Sequence, residues 1–360
     1  MPVAIQKLPL AATILLRSCN NSDATLDLSH TASSTDDLYL GIDVGGTDVK
    51  IGLVNAGGTL IDSHRTPTPE LGSPERVFAF AIDYADKQLS KLGLQSEQLK
   101  AVGLAVPGVL DTEQYVLREV VNLPGWLGVK LLDTLCAASQ LPSAVVNDAN
   151  SAAYAEHSLR KLDRQSLALV TLGTGIGSGV VIAGNPHGGD HGCAGELGHI
   201  AVDFGPDAIK CTCGSSGHLE SYAGARGVVA RLRKAIELID QESLPKSLMG
   251  KTITPRDIAS AAESGHAISR NVIIDTGRFV GRAIGMIGQV ADPAVVLLGG
   301  AMTFGGDDTE VGRQFIQAVR DSVTATTLVQ VGGNIKIEFA TLGNNAGMLG
   351  AAMVAKQTVS

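Results

Sequence analysis

Residues 38–54 read LYLGIDVGGTDVKIGLV, and residues 167–183 read LALVTLGTGIGSGVVIA. Each is an apolar strand, a glycine-rich turn and a second apolar strand. The first predicts strands over Leu38–Val44 and Val49–Val54 joined at Gly45-Gly46, with Thr59–Arg65 returning after Ala56-Gly57-Gly58 as an antiparallel meander. The second predicts strands over Leu167–Leu172 and Val180–Ala183 around GTGIGSG. Two units of one design indicate an internal duplication, each half opening on such a hairpin.

The chain between and beyond these units alternates helices and strands. A helix beginning at Pro74, capped by Ser73 and stopped at Gly93, carries Val77, Ala81 and Tyr84 on one face. Strands are predicted at Val102–Val106 and Ser143–Val146, the latter running into Asn147-Asp148 and an Ala-rich helix. Further helices are expected near Gly224–Ile239, after Thr254-Pro255, over Ala267–Val290 and over Ala346–Ala355. Strands are expected at Ala294–Leu298, ending in Gly299-Gly300, and at Ile335–Thr341. The class is α/β.

The chain has 360 residues, 44% of them hydrophobic, enough for one large domain or two of ordinary size. Aromatics make up 4% and glycines number 43, so the core is built from small aliphatic residues and tight turns. A net charge of −8 speaks against nucleic acid or an anionic membrane as partner, since both call for a basic surface. Five cysteines, Cys19, Cys136, Cys193, Cys211 and Cys213, include one tight pair. That pattern suits a reduced, cytoplasmic protein with a metal site, not a disulfide framework. Residues 1–37 hold a short apolar run, Leu8–Leu16, then a polar stretch. The run is too short to span a bilayer, and the segment is expected to be a disordered or poorly ordered extension.

The two glycine turns are candidate phosphate cradles, because glycine lets backbone N–H groups approach phosphate oxygens. Thr47 and Thr174 add hydroxyl donors, and Asp43 can hold Mg²⁺ through water. Gly173-x-Gly175-x-x-Ser178 approaches a dinucleotide fingerprint, but that motif needs a helix where Val180-Val181-Ile182 predicts a strand. No Gly-Lys-Ser/Thr of a P-loop follows either turn. Two opposed hairpins suit a clamp on ATP from both halves.

Asn147-Asp148 lies at a strand end, where α/β ligand sites form. Asp148 reads either as an ordinary helix cap, spending its oxygens on helix N–H groups, or as a general base with one oxygen facing a substrate hydroxyl. His199, Cys211, Cys213 and His218 offer two imidazoles and two thiols in one short segment, a set that closes a tetrahedral shell around structural zinc. His199 can ligate with one ring nitrogen and present the other as N–H. Glu196 and Glu220 flank that set and can accept hydrogen bonds from vicinal hydroxyls.

The ordered series GIDVGGTDVKIGLV, VPGVL, NLPGW, VVNDANSAAYAE, LGTGIGSGVV, AGELGH, CTCGSSGHLE, VVLLGGAM and LGNNAGMLGAA resembles the ROK family of sugar kinases, its bacterial glucokinase-like members above all. The likeness runs from about Leu38 to Ala355. It implies the actin-like, ribonuclease-H-like ATPase fold, with two domains and a cleft between them. The smaller domain would comprise residues 38–148 plus about 341–360, and the larger residues 149–340 with the zinc knuckle. The resemblance further implies Asp148 as catalytic base, with Gly108, Asn122, Asn147, Glu196, His199 and Glu220 on the sugar. Asp43, Gly45, Gly46, Thr47, Lys50, Thr174 and Gly175 would serve the phosphates of MgATP, and Gly299 and Gly300 would lie near the adenosine.

Two positions depart from the family pattern. His218 stands where the hook usually ends in Cys, giving a two-His, two-Cys zinc site. Asp48 puts a carboxylate beside a phosphate turn, unfavourable unless it points outward. The expected reaction is ATP-dependent phosphorylation of a hexose, glucose at its 6-hydroxyl foremost. N-acetylmannosamine, N-acetylglucosamine, mannose and fructose are the alternative acceptors. The partners are then a sugar and ATP, in a homo-oligomer, dimer or tetramer, such as relatives form. A non-catalytic sugar-sensing repressor is the reading from another class. It is disfavoured because no basic helix pair precedes the first glycine hairpin.

Overall fold

The computed structural model describes residues 37–237, 244–245, 248–249 and 252–359. The expected N-terminal extension lies outside these residues apart from Asp37, as do the last two residues of the helix expected to reach Ile239.

In the first half the meander forms as β1 (Leu38–Val44), β2 (Asp48–Asn55) and β3 (Leu60–Pro67). A short α1 (Thr68–Leu71) and a long α2 (Pro74–Leu92) follow, then β4 (Leu99–Val106). Gly93 ends α2 in the left-handed region at φ 70°, the usual glycine stop. Next come the small ribbon β5 (Val109–Asp111) and β6 (Val116–Glu119), then α3 (Leu131–Ser139), β7 (Ser143–Asn147) and α4 (Asp148–Leu159). The second half opens with β8 (Leu167–Leu172), β9 (Ile176–Ile182) and β10 (Asn185–Pro186). It continues through α5 (Leu219–Ala223), α6 (Ala225–Ile236), α7 (Pro255–Glu263) and α8 (Ala267–Ala291). It closes with β11 (Val295–Gly299), α9 (Glu310–Thr326), α10 (Val329–Gly332), β12 (Lys336–Phe339) and α11 (Ala346–Lys356).

The duplication is plain in the sheets. One has the order β3-β2-β1-β4-β7 and the other β10-β9-β8-β11-β12. Position for position, two antiparallel pairings are followed by two parallel ones. The central strands of each sheet, β1 and β4 in one and β8 and β11 in the other, are buried on both faces, which explains why they read as continuous apolar runs. The outer face of the first packs on α2 and α3, where Phe78 meets Trp126 edge to face at 6.1 Å. The outer face of the second packs on the α5–α9 layer.

Between the sheets lie α4 and α11. Their small residues meet Tyr39, Ala101 and Ala144 from one sheet and Leu167, Leu169 and Leu297 from the other. This middle layer is tight enough to demand glycine. A Cβ on Gly103 of β4 would stand 1.9 Å from the carbonyl oxygen of Ala351, and one on Gly350 would stand 1.8 Å from that of Ser151. Gly103→Ala therefore has to push α11 off the sheet. It is expected to cost about 1–3 kcal/mol, the usual range for overpacking, read as a lower urea midpoint.

Helix α9 was not anticipated from the sequence, although Val311, Phe315, Ile316, Val319 and Val323 mark a helical face and Thr309 caps it. Its partner α8 presents Gly277 and Gly281 to it, so the contact leaves little apolar signal on one side. No described helix is long and apolar enough to cross a membrane.

Candidate active site

The two readings of Asp148 are separated by its neighbour. Asn147 is the cap of α4: its Oδ1 accepts the N–H groups of Ala149 at 2.9 Å and Asn150 at 3.2 Å. Its Nδ2 donates to the carbonyl of Gly108 at 3.1 Å, so one amide hydrogen is left for a ligand. Gly108, whose carbonyl accepts that bond, is held at φ 90°, where a Cβ would stand 2.1 Å from the Glu119 carbonyl oxygen.

Relieved of the cap, Asp148 spends Oδ1 on Ala149 N–H at 2.8 Å, and its other oxygen accepts from no other residue among those described. Burial, then the negative charge of Asp43 and of Glu196, pushes its carboxyl up to about 6, against the pull of the Ala149 N–H. A half-buried carboxylate of that basicity, with one oxygen not taken by another described residue, fits proton transfer from an alcohol.

Asp43 is the penultimate residue of β1 and is 8% exposed. Its Oδ2 accepts Lys50 Nζ at 2.9 Å. Lys50, expected among the phosphate contacts, is thus paired within the lobe and faces Asp43 across the β1–β2 ladder. The first glycine turn is stitched by Gly45 N–H to the Asp48 carbonyl at 2.9 Å, and by the Thr68 hydroxyl to the Gly45 carbonyl at 2.6 Å. Thr47 sits in the same turn and its carbonyl accepts Thr68 N–H at 2.8 Å. The unfavourable Asp48 carboxylate is met by Arg65 of β3, whose hydrogen bond holds it below the usual carboxylate range. Asn122 adopts φ 63° and its Cβ leans on Gly46, where an added Cβ would come within 2.9 Å. The expected sugar loop and the first phosphate turn are therefore in direct contact.

On the opposite lobe, Gly173 N–H donates to the Gly175 carbonyl at 3.0 Å, closing the second turn around Thr174. Glu220 of α5 braces that turn, its Oε2 accepting Ile176 N–H at 2.9 Å. Glu196 precedes a 3-10 turn, Leu197–His199. Burial raises its carboxyl, with nearby Glu220 adding to the rise and His199 opposing it. The segment is pinned by Ser178 of β9, whose hydroxyl bonds the Gly195 carbonyl and accepts Leu197 N–H at 2.9 Å. Ser178 is a positioning residue that the sequence offered only as part of a glycine motif. Thr171, Gly173, Gly175, Glu196, His199, Glu220 and Gly300 line a single cavity of about 440 Å³. A larger groove, about 650 Å³, lies between α8 and α9 and shares none of these residues.

His199, Cys211, Cys213 and His218 bring their donor atoms within 4.8 Å of one another. A zinc tetrahedron with bonds of about 2.0–2.1 Å to nitrogen and about 2.3 Å to sulfur separates its ligands by ~3.3 Å (N to N) and ~3.6 Å (N to S). Here the two Nδ1 atoms are 3.3 Å apart. Cys213 Sγ lies 3.2 Å from His218 Nδ1, and Cys211 Sγ lies 3.9 Å from His199 Nδ1. The residues fit the ion, with His218 taking the place of a thiol. Burial alone would raise the Cys211 thiol. The Cys213 backbone N–H and the side chains of His218, Cys213 and Ser221 instead bring it down to about 6, toward the thiolate a metal requires. Gly214, at φ 99°, turns the hook, and the Tyr222 hydroxyl braces its two arms by donating to Asp203 at 2.6 Å and accepting Ile209 N–H at 2.8 Å.

Duplicated lobes of the actin-like ATPase fold, with carboxylates and glycine turns around a cleft, define a phosphoryl-transfer enzyme. The chain belongs to the ROK family, which it matches over residues 39–358. It is 30% identical over 325 residues to a glucokinase of Halalkalibacterium halodurans, covering 90% of this chain and 96% of that one. A ROK hexokinase from Thermus thermophilus superposes with a TM-score of 0.72 at 29% identity, covering 89% of this chain and 99% of that one. A ROK glucokinase from Streptomyces griseus in complex with glucose and AMPPNP superposes with a TM-score of 0.65 at 26% identity, covering 89% and 99%. The protein is an ATP-dependent sugar kinase.

Proposed function

We propose that the enzyme transfers the γ-phosphoryl group of ATP to the primary 6-hydroxyl of glucose. The observation that supports this reading is Asp148, which keeps one oxygen free of helix N–H groups while Asn147 caps α4, and whose carboxyl is held up at about 6. It is ionised at neutral pH yet basic enough to take an alcohol proton. As the sugar oxygen forms its bond to the γ-phosphorus, its proton passes to Asp148. The bond from phosphorus to the bridging oxygen breaks, and the electron pair leaves on ADP.

Glu196 and Glu220 accept from ring hydroxyls, and the Nε2 N–H of His199 donates to one, because its Nδ1 faces the Cys/His cluster. The backbone amides of the two glycine turns and the hydroxyls of Thr47 and Thr174 bind the phosphates, while Gly299 and Gly300 border the adenosine. Mg²⁺ on those phosphates would neutralise the charge that builds on the leaving oxygen. Asp43 is the residue to hold it through water, since only one of its oxygens is taken by Lys50. Zinc in the closed Cys/His shell would be structural, fixing His199 and the hook that leads to Glu220.

The lobes are taken as residues 38–148 with 341–360, and residues 149–340, closing over the substrates to exclude water as a competing acceptor. A coupled ADP-release assay of metal-replete enzyme against hexoses and N-acetylhexosamines tests the reading. Glucose is expected to give the highest kcat/KM. A clear preference for N-acetylmannosamine, N-acetylglucosamine, mannose or fructose would replace it as acceptor.

A further inference from the structure

Glu156 has no part in the chemistry above, yet it is a carboxylate only 1% exposed. It lies about two turns along α4 from Asp148. Its Oε1 accepts the backbone N–H groups of Thr341 at 2.6 Å and Leu342 at 2.8 Å. Its Oε2 accepts the Thr341 hydroxyl at 3.1 Å and Arg160 Nε at 3.3 Å. Arg160 extends the grip, donating through Nη1 to Glu338 at 2.6 Å and through Nη2 to the Phe339 carbonyl at 3.3 Å. The gripped stretch, 338–342, leaves β12 in one sheet and leads into α11, which packs on the other.

A buried carboxylate is costly unless its lone pairs are filled, and here four donors fill them. Two peptide N–H groups alone could be met by a neutral acceptor, whereas the carboxylate also recruits the Arg160 cation and so ties the whole 338–342 stretch to α4. At the other end of α4 the Ser151 hydroxyl donates to the Gly347 carbonyl at 2.7 Å. Gly347, in the first turn of α11, lies against Asp43, and a Cβ there would stand 2.8 Å from the carboxylate carbon. Glu156 thus anchors the segment that leads into α11, the first turn of α11 abuts Asp43, and α4 itself carries Asp148.

We infer that Glu156 is a positioning residue for phosphoryl transfer: by clasping Thr341 and Leu342 to α4 it fixes the spacing between Asp148 on the acceptor side and Asp43 on the phosphate side. This rests on Asp148 being the base. Glu196 and Glu220 are held by other contacts, through Ser178 and Ile176, so sugar affinity is independent of the clasp.

The test compares Glu156→Gln and Glu156→Ala with Asp148→Asn. Kinetics are measured per mole of folded full-length enzyme, with MgATP and whichever sugar gives the highest turnover. Gln keeps the carbonyl for the two N–H groups but turns an amide toward Arg160. Displacement of reacting groups by about 1 Å from a remote change costs up to about 100-fold in rate. Glu156→Ala is therefore expected to lose about 10- to 100-fold in kcat, and Glu156→Gln about tenfold or less but measurably, with the sugar KM of both within about twofold of wild type.

If Glu156→Ala fails to fold, the kcat of Glu156→Gln decides. Wild-type kcat in the folded variants, with only the melting temperature lowered, overturns the inference, as does a raised sugar KM at intact kcat. An active Asp148→Asn enzyme would remove the base assignment and the inference with it. An inactive Asp148→Asn beside fully active Glu156 variants would remove the inference alone.

Discussion

Asp148→Asn or Asp148→Ala is expected to lower kcat by about 10²–10⁴ with the fold retained, the range that loss of a general base produces. The wild-type kcat/KM for sugar, which reports the free enzyme, should climb as pH passes through about 6 and then level off. The same group makes a stability prediction of defined sign. Its folded value of about 6 is raised above the ordinary 3.8, so the native state holds the proton more tightly than the unfolded chain does. That contribution is complete below the unfolded value and is lost as pH rises through the folded one.

Above pH 6 the native enzyme therefore carries a strained carboxylate, and Asn removes it. Asp148→Asn should be more stable than wild type at pH 8 by ~2–3 kcal/mol, the free-energy equivalent of the rise from 3.8 to about 6, in which the favourable helix N–H groups are already counted. Near pH 4 the advantage should vanish. Chemical denaturation of both proteins at the two pH values measures this. A catalytic loss coupled to a gain in stability is the signature of a charge held for chemistry. An Asp148→Asn enzyme with near-normal turnover ends the base assignment.

Removal of metal is expected to have the second large effect. One zinc per chain should be found by elemental analysis, and cobalt in its place should absorb in the visible with the intensity of a tetrahedral site. Prolonged chelation, or Cys213→Ser, should raise the sugar KM about 10- to 100-fold, the scale on which loss of a ligand-orienting shell acts. The far-ultraviolet spectrum should change little, because the hook lies outside the two sheets and their three cores. The reason is local. His199 lines the cavity through one ring edge while its Nδ1 faces the cluster, and His218 stands two residues before Glu220.

His218→Cys should keep both metal and turnover within a few-fold, since sulfur suits the same tetrahedron. A chain that binds no zinc yet holds its sugar normally would show that the Cys/His cluster does not serve the sugar site.

Much of the fold follows from local sequence. Alternating apolar runs and glycine turns locate both hairpins, because a strand buried on both faces must be continuously apolar and a tight turn must be glycine-rich. Thr254-Pro255 and Ser73-Pro74 mark helix starts for equally local reasons. The hook's ligands are close in sequence, so its composition alone suggests a metal. The chain by itself also determined the repeat of two halves, since their two hairpins share one pattern.

The division of labour at Asn147-Asp148 is different. Two adjacent side chains compete for the same helix N–H groups, and only three-dimensional geometry shows that Asn147 accepts two of them and Asp148 one, leaving the second Asp148 oxygen for the role proposed here. Ser178 and Glu156 likewise gain their roles from partners 17 to 186 residues away along the chain, the Glu156–Leu342 contact being the longest. No periodicity encodes such pairs, because hydrogen bonds between distant segments depend on how the sheets and the α4–α11 layer stack. That stacking also buries Asp148 and brings Asp43 near it, which together raise its carboxyl, and it is there, in the packing of two helices between two sheets, that the proposed base takes its character.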